Sequence, residues 1–228
     1  MLPRAKMNIL LGRTYLLLAG AVAYSATVLG VDYLAATGST WPLEWRILRW
    51  QTSYGVDLFK LVFWFLVPFG LCIPRMDWGA FGLKRWRRID YIMLAGLLAV
   101  GLAAILAIPL FSSLRHTYPG LGQMAHDAKW YYATVSTFWT LSWIVGWEFL
   151  HRYFLLRPLS QAWPRCGWLL VPALEGVYHL QKPLLEAAGM VALSLIVTPW
   201  AMKRRNVLLP FLVHLAIELE LLTFRILT

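Results

Sequence analysis

Apolar runs broken by short polar segments recur along this chain at a spacing set by a lipid bilayer. A helical span needs roughly 20 mostly apolar residues. Seven stretches approach that length: 15–36, 56–73, 91–111, 130–156, 168–180, 184–202 and 207–224. The fifth is short and reaches full length only if it runs from near Cys166 to Gln181. Pro68, Pro109, Pro172 and Pro199 are expected to kink these helices or mark their ends. The pattern predicts an all-α fold, a polytopic transmembrane helical bundle of about seven spans. Residues 1–228 form a single membrane domain on this reading, with no internal repeat and no low-complexity tail.

Composition agrees. The chain is 60% hydrophobic with 13 Trp and a mean hydropathy of +0.60, whereas soluble domains average about 45–50% apolar residues. The basic residues sort by side once the spans are laid out. Arg4, Lys6, Arg13, the cluster over 75–88, Arg157, Arg165 and Lys203-Arg204-Arg205 fall on one face. The other face holds Arg46, Arg49, Arg115, Lys129, Lys182 and Arg225. The positive-inside rule makes the first face cytoplasmic, with the N-terminus in and the C-terminus out. The net charge of +10 is then loop charge facing anionic lipid, and no basic run carries a nucleic-acid motif. Cys72 and Cys166 stand in unrelated segments without metal spacing and read as inert thiols. The opening MLPRAKMNILLGR continues into the first apolar run and reads as part of an uncleaved first helix.

Against this background, three segments place ionisable residues inside apolar runs: Glu148, His151 and Arg152; Glu175 and His179; His214 and Glu218. Such groups are costly in a membrane and tend to mark function. Residues four apart share a helix face, so Glu148 stacks on Arg152, Glu175 on His179 and His214 on Glu218. The plain alternative is three satisfied polar pairs gluing helices together. Depth argues for more. At 1.5 Å rise per residue, Glu148 lies roughly 15 Å, His179 roughly 20 Å and His214 roughly 10–12 Å from the basic face. Three antiparallel helices would thus bring them to similar depth. A carboxylate and two imidazoles meeting in a low-dielectric cavity fit water activation, with Glu148 as base and the histidines stabilising an oxyanion or binding a metal.

These residues resemble the CAAX protease and bacteriocin-processing (CPBP, or Abi) family of intramembrane endopeptidases, and in particular its bacterial branch. That family carries a Glu-Glu-x-x-x-Arg, a Phe-x-x-x-His and a His-x-x-x-Asn motif on successive helices. Here Glu148 and Arg152 match the first motif, with Trp147 at the first Glu position. His179 matches the second, with Glu175 in place of Phe, and His214 matches the third, with Glu218 at the Asn position. His151 replaces the usual Phe and Tyr153 the usual Gly. The resemblance implies a hydrolase that cleaves a peptide bond through a Glu-activated water with two histidines, its proteolytic core at about 130–224. It implies catalytic roles for Glu148, His179, His214, Arg152 and Glu218, with His151 and Glu175 as supporting candidates. No cofactor is certain; a divalent metal would take His179, His214 and Glu148. The expected partners are the bilayer and a peptide or protein tail near the cytoplasmic leaflet, with no nucleic acid. The expected location is the cell's cytoplasmic (inner) membrane, multi-pass. Two rival readings use the same residues: a non-catalytic membrane scaffold or immunity protein of the same fold, and a dimetal-carboxylate membrane enzyme.

Overall fold

The computed structural model describes residues 4–38, 55–83 and 86–228, so the expected outer-face residues Arg46 and Arg49, and Lys84 and Arg85 of the basic cluster, lie outside the described residues. Among the described residues the chain is helical, with no β-strand beyond an isolated bridge between Phe81 and Asn206. We number the main helices α1 (Arg4–Ala36), α2 (Leu58–Lys60, continuing through Leu61–Leu66 and Val67–Cys72), α3 (Arg88–Leu106), α4 (Ser112–Thr117), α5 (His126–Phe149, continuing through Leu150–Leu155 and Leu156–Ala162), α6 (Leu170–His179), α7 (Leu184–Arg204) and α8 (Leu208–Leu227).

Local chemistry sets the ends. Gly38, in the left-handed region at φ 71°, follows α1, where a residue with a Cβ would be strained. Asp57 caps α2 by accepting from the Lys60 amide at 3.0 Å, and its own amide donates to Ser142 Oγ at 2.9 Å, which ties the start of α2 to α5. Asp90 closes the first turn of α3 by accepting from the Arg87 amide at 2.8 Å. Asn206 does the same for α8, taking the Leu209 amide at 3.1 Å. Two helices contain a widened π-helical turn, Leu61–Leu66 in α2 and Leu150–Leu155 in α5. In α2 the turn runs up to Pro68, which cannot donate back to Trp64.

Among the described residues four helices are long and apolar enough to cross a membrane: Thr14–Ala36, Leu58–Arg75, Arg88–Leu110 and Leu184–Arg204. α5 and α8 also form where the hydrophobic pattern places spans, although buried polar residues dilute them. α6 does not reach span length. After a 3₁₀ turn at Gly167–Leu169 it runs only Leu170–His179, about 15 Å at 1.5 Å per residue against a core of about 30 Å. The chain turns at Lys182 and returns along α7 before α6 has crossed.

Packing joins α2 to α5, α6 to α7, and α8 to both α3 and α5. Close approach is possible where a side chain is missing. A Cβ on Gly146 of α5 would stand 2.8 Å from Trp64 Cβ and 3.1 Å from the Trp64 carbonyl carbon of α2. Small residues at such crossings let membrane helices approach without a hydrophobic drive from water. The largest core groups Trp64, Trp143, Ile144, Trp147 and Leu150 around this crossing.

The two ends of the bundle differ in charge. At one end Arg157 donates to the Arg75 carbonyl at 2.6 Å, Arg204 pairs with Asp90 at 2.7 Å and Arg205 pairs with Asp77. The α2–α3 and α7–α8 connections meet there through the Val207 amide and the Ala80 carbonyl, 3.0 Å apart. At the other end the loop after α4 is tied down: the Leu121 amide donates to the Arg225 carbonyl, and Tyr118 Oη donates to Glu186 at 2.8 Å. Burial and the Glu186 carboxylate hold the Tyr118 hydroxyl protonated far into alkaline pH.

Candidate active site

The polar residues singled out from sequence meet in the half of the bundle formed by α5 to α8, through different partners than helical spacing suggests. Glu148, at 2% exposure, accepts a hydrogen bond from His214 Nδ1 of α8 at 2.9 Å. Arg152 is also buried. It leans 3.7 Å from Glu148 but makes its strongest contacts with Glu175 of α6, through Nη1 to Oε1 and through Nη2 to Oε2 at 3.1 Å. So the i, i+4 stacking of Glu148 and Arg152 is present but loose. His214 turns to Glu148 rather than to Glu218. Cross-helix bonds have replaced two of the three expected local pairs.

The π-helical turn at Leu150–Leu155 gives the physical reason. Its i→i+5 bonds insert an extra residue into the turn, carrying Arg152 off the Glu148 line and toward α6. Ser194 and Thr198 of α7 complete the setting, with Ser194 Oγ 3.4 Å from Arg152 Nη2 and 3.1 Å from Thr198 Oγ1. Sequence reasoning passed over this pair. Its signal was two hydroxyls four apart on one face of an apolar span.

His179, the last residue of α6, places Nδ1 2.8 Å from the Glu175 main-chain carbonyl. A carbonyl only accepts, so Nδ1 carries the proton and Nε2 keeps its lone pair. Glu175 therefore fixes the His179 tautomer with its backbone, while its carboxylate serves Arg152. His151 is fully buried in the site, away from the bundle end. Its Nδ1 donates to the Trp147 carbonyl at 2.9 Å and lies 3.7 Å from Glu175 Oε1, and its Nε2 has no partner.

Trp147 is the hub of this cluster. Its ring lies 4.2 Å from His151, 5.4 Å from His179, 6.3 Å from His214 and 5.1 Å from Tyr178, centre to centre. Trp143 packs edge-on against His214 at 5.4 Å. A cavity of about 560 Å³ reaches the cluster. His179, Trp147 and Glu218 line it, whereas Glu148 and His214 lie behind the Trp147 and Trp143 rings. Another polar group lines its wall: Tyr178 Oη donates to Asp32, and Lys60 Nζ stands 3.7 Å from Asp32 and 3.5 Å from Asp57. From sequence Asp57 and Lys60 read as an interfacial pair. The structure adds Asp32 and Tyr178 and makes them part of the cavity. Glu220 points elsewhere, toward Gly101 of α3, and His116 and His126 are exposed.

Among the described residues no three His, Cys, Asp or Glu side chains converge as metal ligands. Glu148 Oε1 and His214 Nδ1 bond each other, and His179 stands apart from them on the cavity wall. The geometry does not fit the divalent-metal set or the dimetal reading, and no step is assigned through a metal.

Residues 129–219 match the family model for Type II CAAX prenyl endopeptidase Rce1-like proteins. No curated protein and no solved structure matches the chain.

Proposed function

We propose that this chain, an Rce1-like CAAX-type membrane protease over residues 129–219, hydrolyses a peptide bond of a membrane-associated peptide or protein as a multi-pass enzyme of the cytoplasmic membrane. The observation that carries the reading is the buried Glu148–His214 bond between helices, joined through Trp147 to a histidine that opens on the cavity. The Trp147 and Trp143 rings swing aside to admit water to the pair, the pair takes its proton, and the hydroxide adds to the scissile carbonyl carbon. His179 Nε2, the nitrogen that the Nδ1–Glu175 bond leaves with its lone pair, accepts a hydrogen bond from the attacking water and orients it. The proton held by the pair passes to the leaving amine as the C–N bond breaks, yielding a new carboxylate end and a new amine end. Arg152, anchored by Glu175, holds Glu148 in place.

The test is the profile of cellular peptides by mass spectrometry for wild type against Glu148→Gln. Gln keeps the shape and removes the base, so product ends should fall by about 10²-fold or more. Unchanged products would refute the assignment and move the reading to a non-catalytic membrane scaffold of the same fold.

A further inference from the structure

We propose a second site, separate from the candidate active site: a guanidinium-lined pocket between the α2–α3 and α7–α8 connections that holds a phosphate-bearing anion, supplied by the headgroup of an anionic phospholipid. Its ligand takes no part in the chemistry proposed above.

The pocket encloses about 190 Å³, and Arg87, Arg204, Arg205, Asn206 and Asp90 line it. Gly82 lets its two sides meet. This residue stands at φ 70°, and a Cβ on it would collide with Asn206 Oδ1, so the approach requires glycine.

The charges around the pocket leave donors available. Asp90 takes Arg204 Nε at 3.1 Å and Nη2 at 2.7 Å, and Nη1 makes no bond among the described residues. Asp77 takes Arg205 through Nη2. Asn206 uses Oδ1 for the Leu209 amide at 3.1 Å, and its Nδ2 can only donate. Arg87 is exposed and forms no ion pair among the described residues. Arg87, Arg204 and Arg205 thus stand against two carboxylates, Asp77 and Asp90, which leaves one positive charge in excess. A carboxylate behind an arginine fixes the plane of its fork, and the remaining N–H edge suits a phosphate.

The backbone is strained at the same place. Arg205 stands at φ 52°, in the left-handed region, and among the described residues no other non-glycine residue does so. Glycine or asparagine would follow α7 at less cost. Strain of this kind collects at ligand sites, and here it holds a guanidinium on the pocket wall.

The level of the pocket in the bundle favours a lipid. Arg88 opens one apolar span and Arg204 closes another, so the pocket lies at headgroup height whichever face of the membrane it occupies. The surface beside it is apolar: Leu83 is 74%, Tyr91 59% and Ile92 54% exposed, and Trp86, another lining residue, packs on Tyr91 at 5.3 Å. The pocket takes a headgroup and leaves the acyl chains on that surface.

Binding is read as the thermal unfolding midpoint of the full chain in neutral maltoside micelles and phosphate-free buffer, titrated with phosphatidylglycerol, phosphatidylcholine or inorganic phosphate. Phosphatidylglycerol should raise the midpoint saturably. Phosphatidylcholine, whose choline offsets the phosphate charge, and inorganic phosphate should not. Arg87→Gln and Arg205→Gly should each shift the phosphatidylglycerol titration by about tenfold or more, the scale of one lost charge-assisted bond. Neither leaves a buried charge alone, and Arg205→Gly also relaxes the left-handed position, so their lipid-free midpoints should stay close to wild type. Arg165→Gln, exposed at the same end of the bundle but outside the pocket, should titrate as wild type does. No saturable rise with phosphatidylglycerol, pocket variants that titrate like wild type, or an equal loss in Arg165→Gln would overturn the site in favour of general charge attraction. Saturation by inorganic phosphate as strong as by the lipid would overturn the lipid as its source.

Discussion

Arg152 is the residue whose loss the structure makes most costly. It is 3% exposed and shared by two buried carboxylates, Glu175 at 0% and Glu148 at 2%. Arg152→Met would fill the volume but leave the Glu175 carboxylate without its cation, beside only the Ser194 hydroxyl and His151 Nδ1 at 3.7 Å. Breaking a buried pair from one side costs about 3–5 kcal/mol, because the remaining charge is uncompensated. Glu175→Gln should cost less, about 1–3 kcal/mol, since the amide oxygen still accepts and Arg152 keeps Glu148 at 3.7 Å. The double variant Arg152→Met/Glu175→Gln removes the Glu175 charge together with its partner and leaves Glu148 bonded to His214. It should therefore be more stable than Arg152→Met alone, with a coupling of at least about 1 kcal/mol between the sites. Reversible unfolding in mixed detergent micelles, titrated with a denaturing detergent, reads all four corners of the cycle. Additive losses within about 0.5 kcal/mol, or an Arg152→Met variant as stable as wild type, would refute a buried, charge-coupled cluster.

Trp147→Glu restores the paired carboxylates of the family motif, yet it should destabilise by about 3–5 kcal/mol and raise no activity, because it empties a fully packed aromatic site; thermal unfolding and cleavage rates together check this. Gly146→Ala should cost about 1–3 kcal/mol, since its Cβ meets the backbone of α2 rather than a movable side-chain tip; a thermal-shift series with Ala at exposed Gly20 as control measures it. Glu148→Gln, His214→Gln and the double variant should lose cleavage rate to nearly the same extent, because bonded groups that act as a unit are non-additive; kcat/KM on a mapped substrate decides it, and multiplicative losses would separate the two roles.

Much of the fold is written in hydrophobic run length. Helices form at every stretch that the apolar pattern marks, and the basic connections that the sequence assigned to one face do meet at one end, through contacts such as Arg157 to Arg75 and Asn206 to Phe81. Run length fails at α6. Residues 168–180 are apolar enough to suggest a span, but hydropathy does not state how many of them are helical or where the chain turns back. The shortfall of a few turns is invisible in the composition of the segment, and it leaves His179 at the helix end, on the cavity wall.

The candidate cluster was legible as a set of residues and illegible as a set of bonds. Glu148, Arg152, Glu175, His179 and His214 were named because ionisable groups inside apolar runs must find partners, and each of them does. The partners were read from α-helical spacing, which assumes 3.6 residues per turn throughout. One π-helical turn after Phe149 breaks that assumption. It sends Arg152 to Glu175 and leaves a carboxylate oxygen of Glu148 free for His214, so that a charge which would otherwise be neutralised within one helix instead ties three helices together. Nothing in the sequence of Leu150 to Leu155 announces the extra residue in the turn. What could be inferred is its consequence: two carboxylates and one arginine buried at similar depth cannot all be satisfied by local pairs, so at least one of them had to bond across to a neighbouring helix.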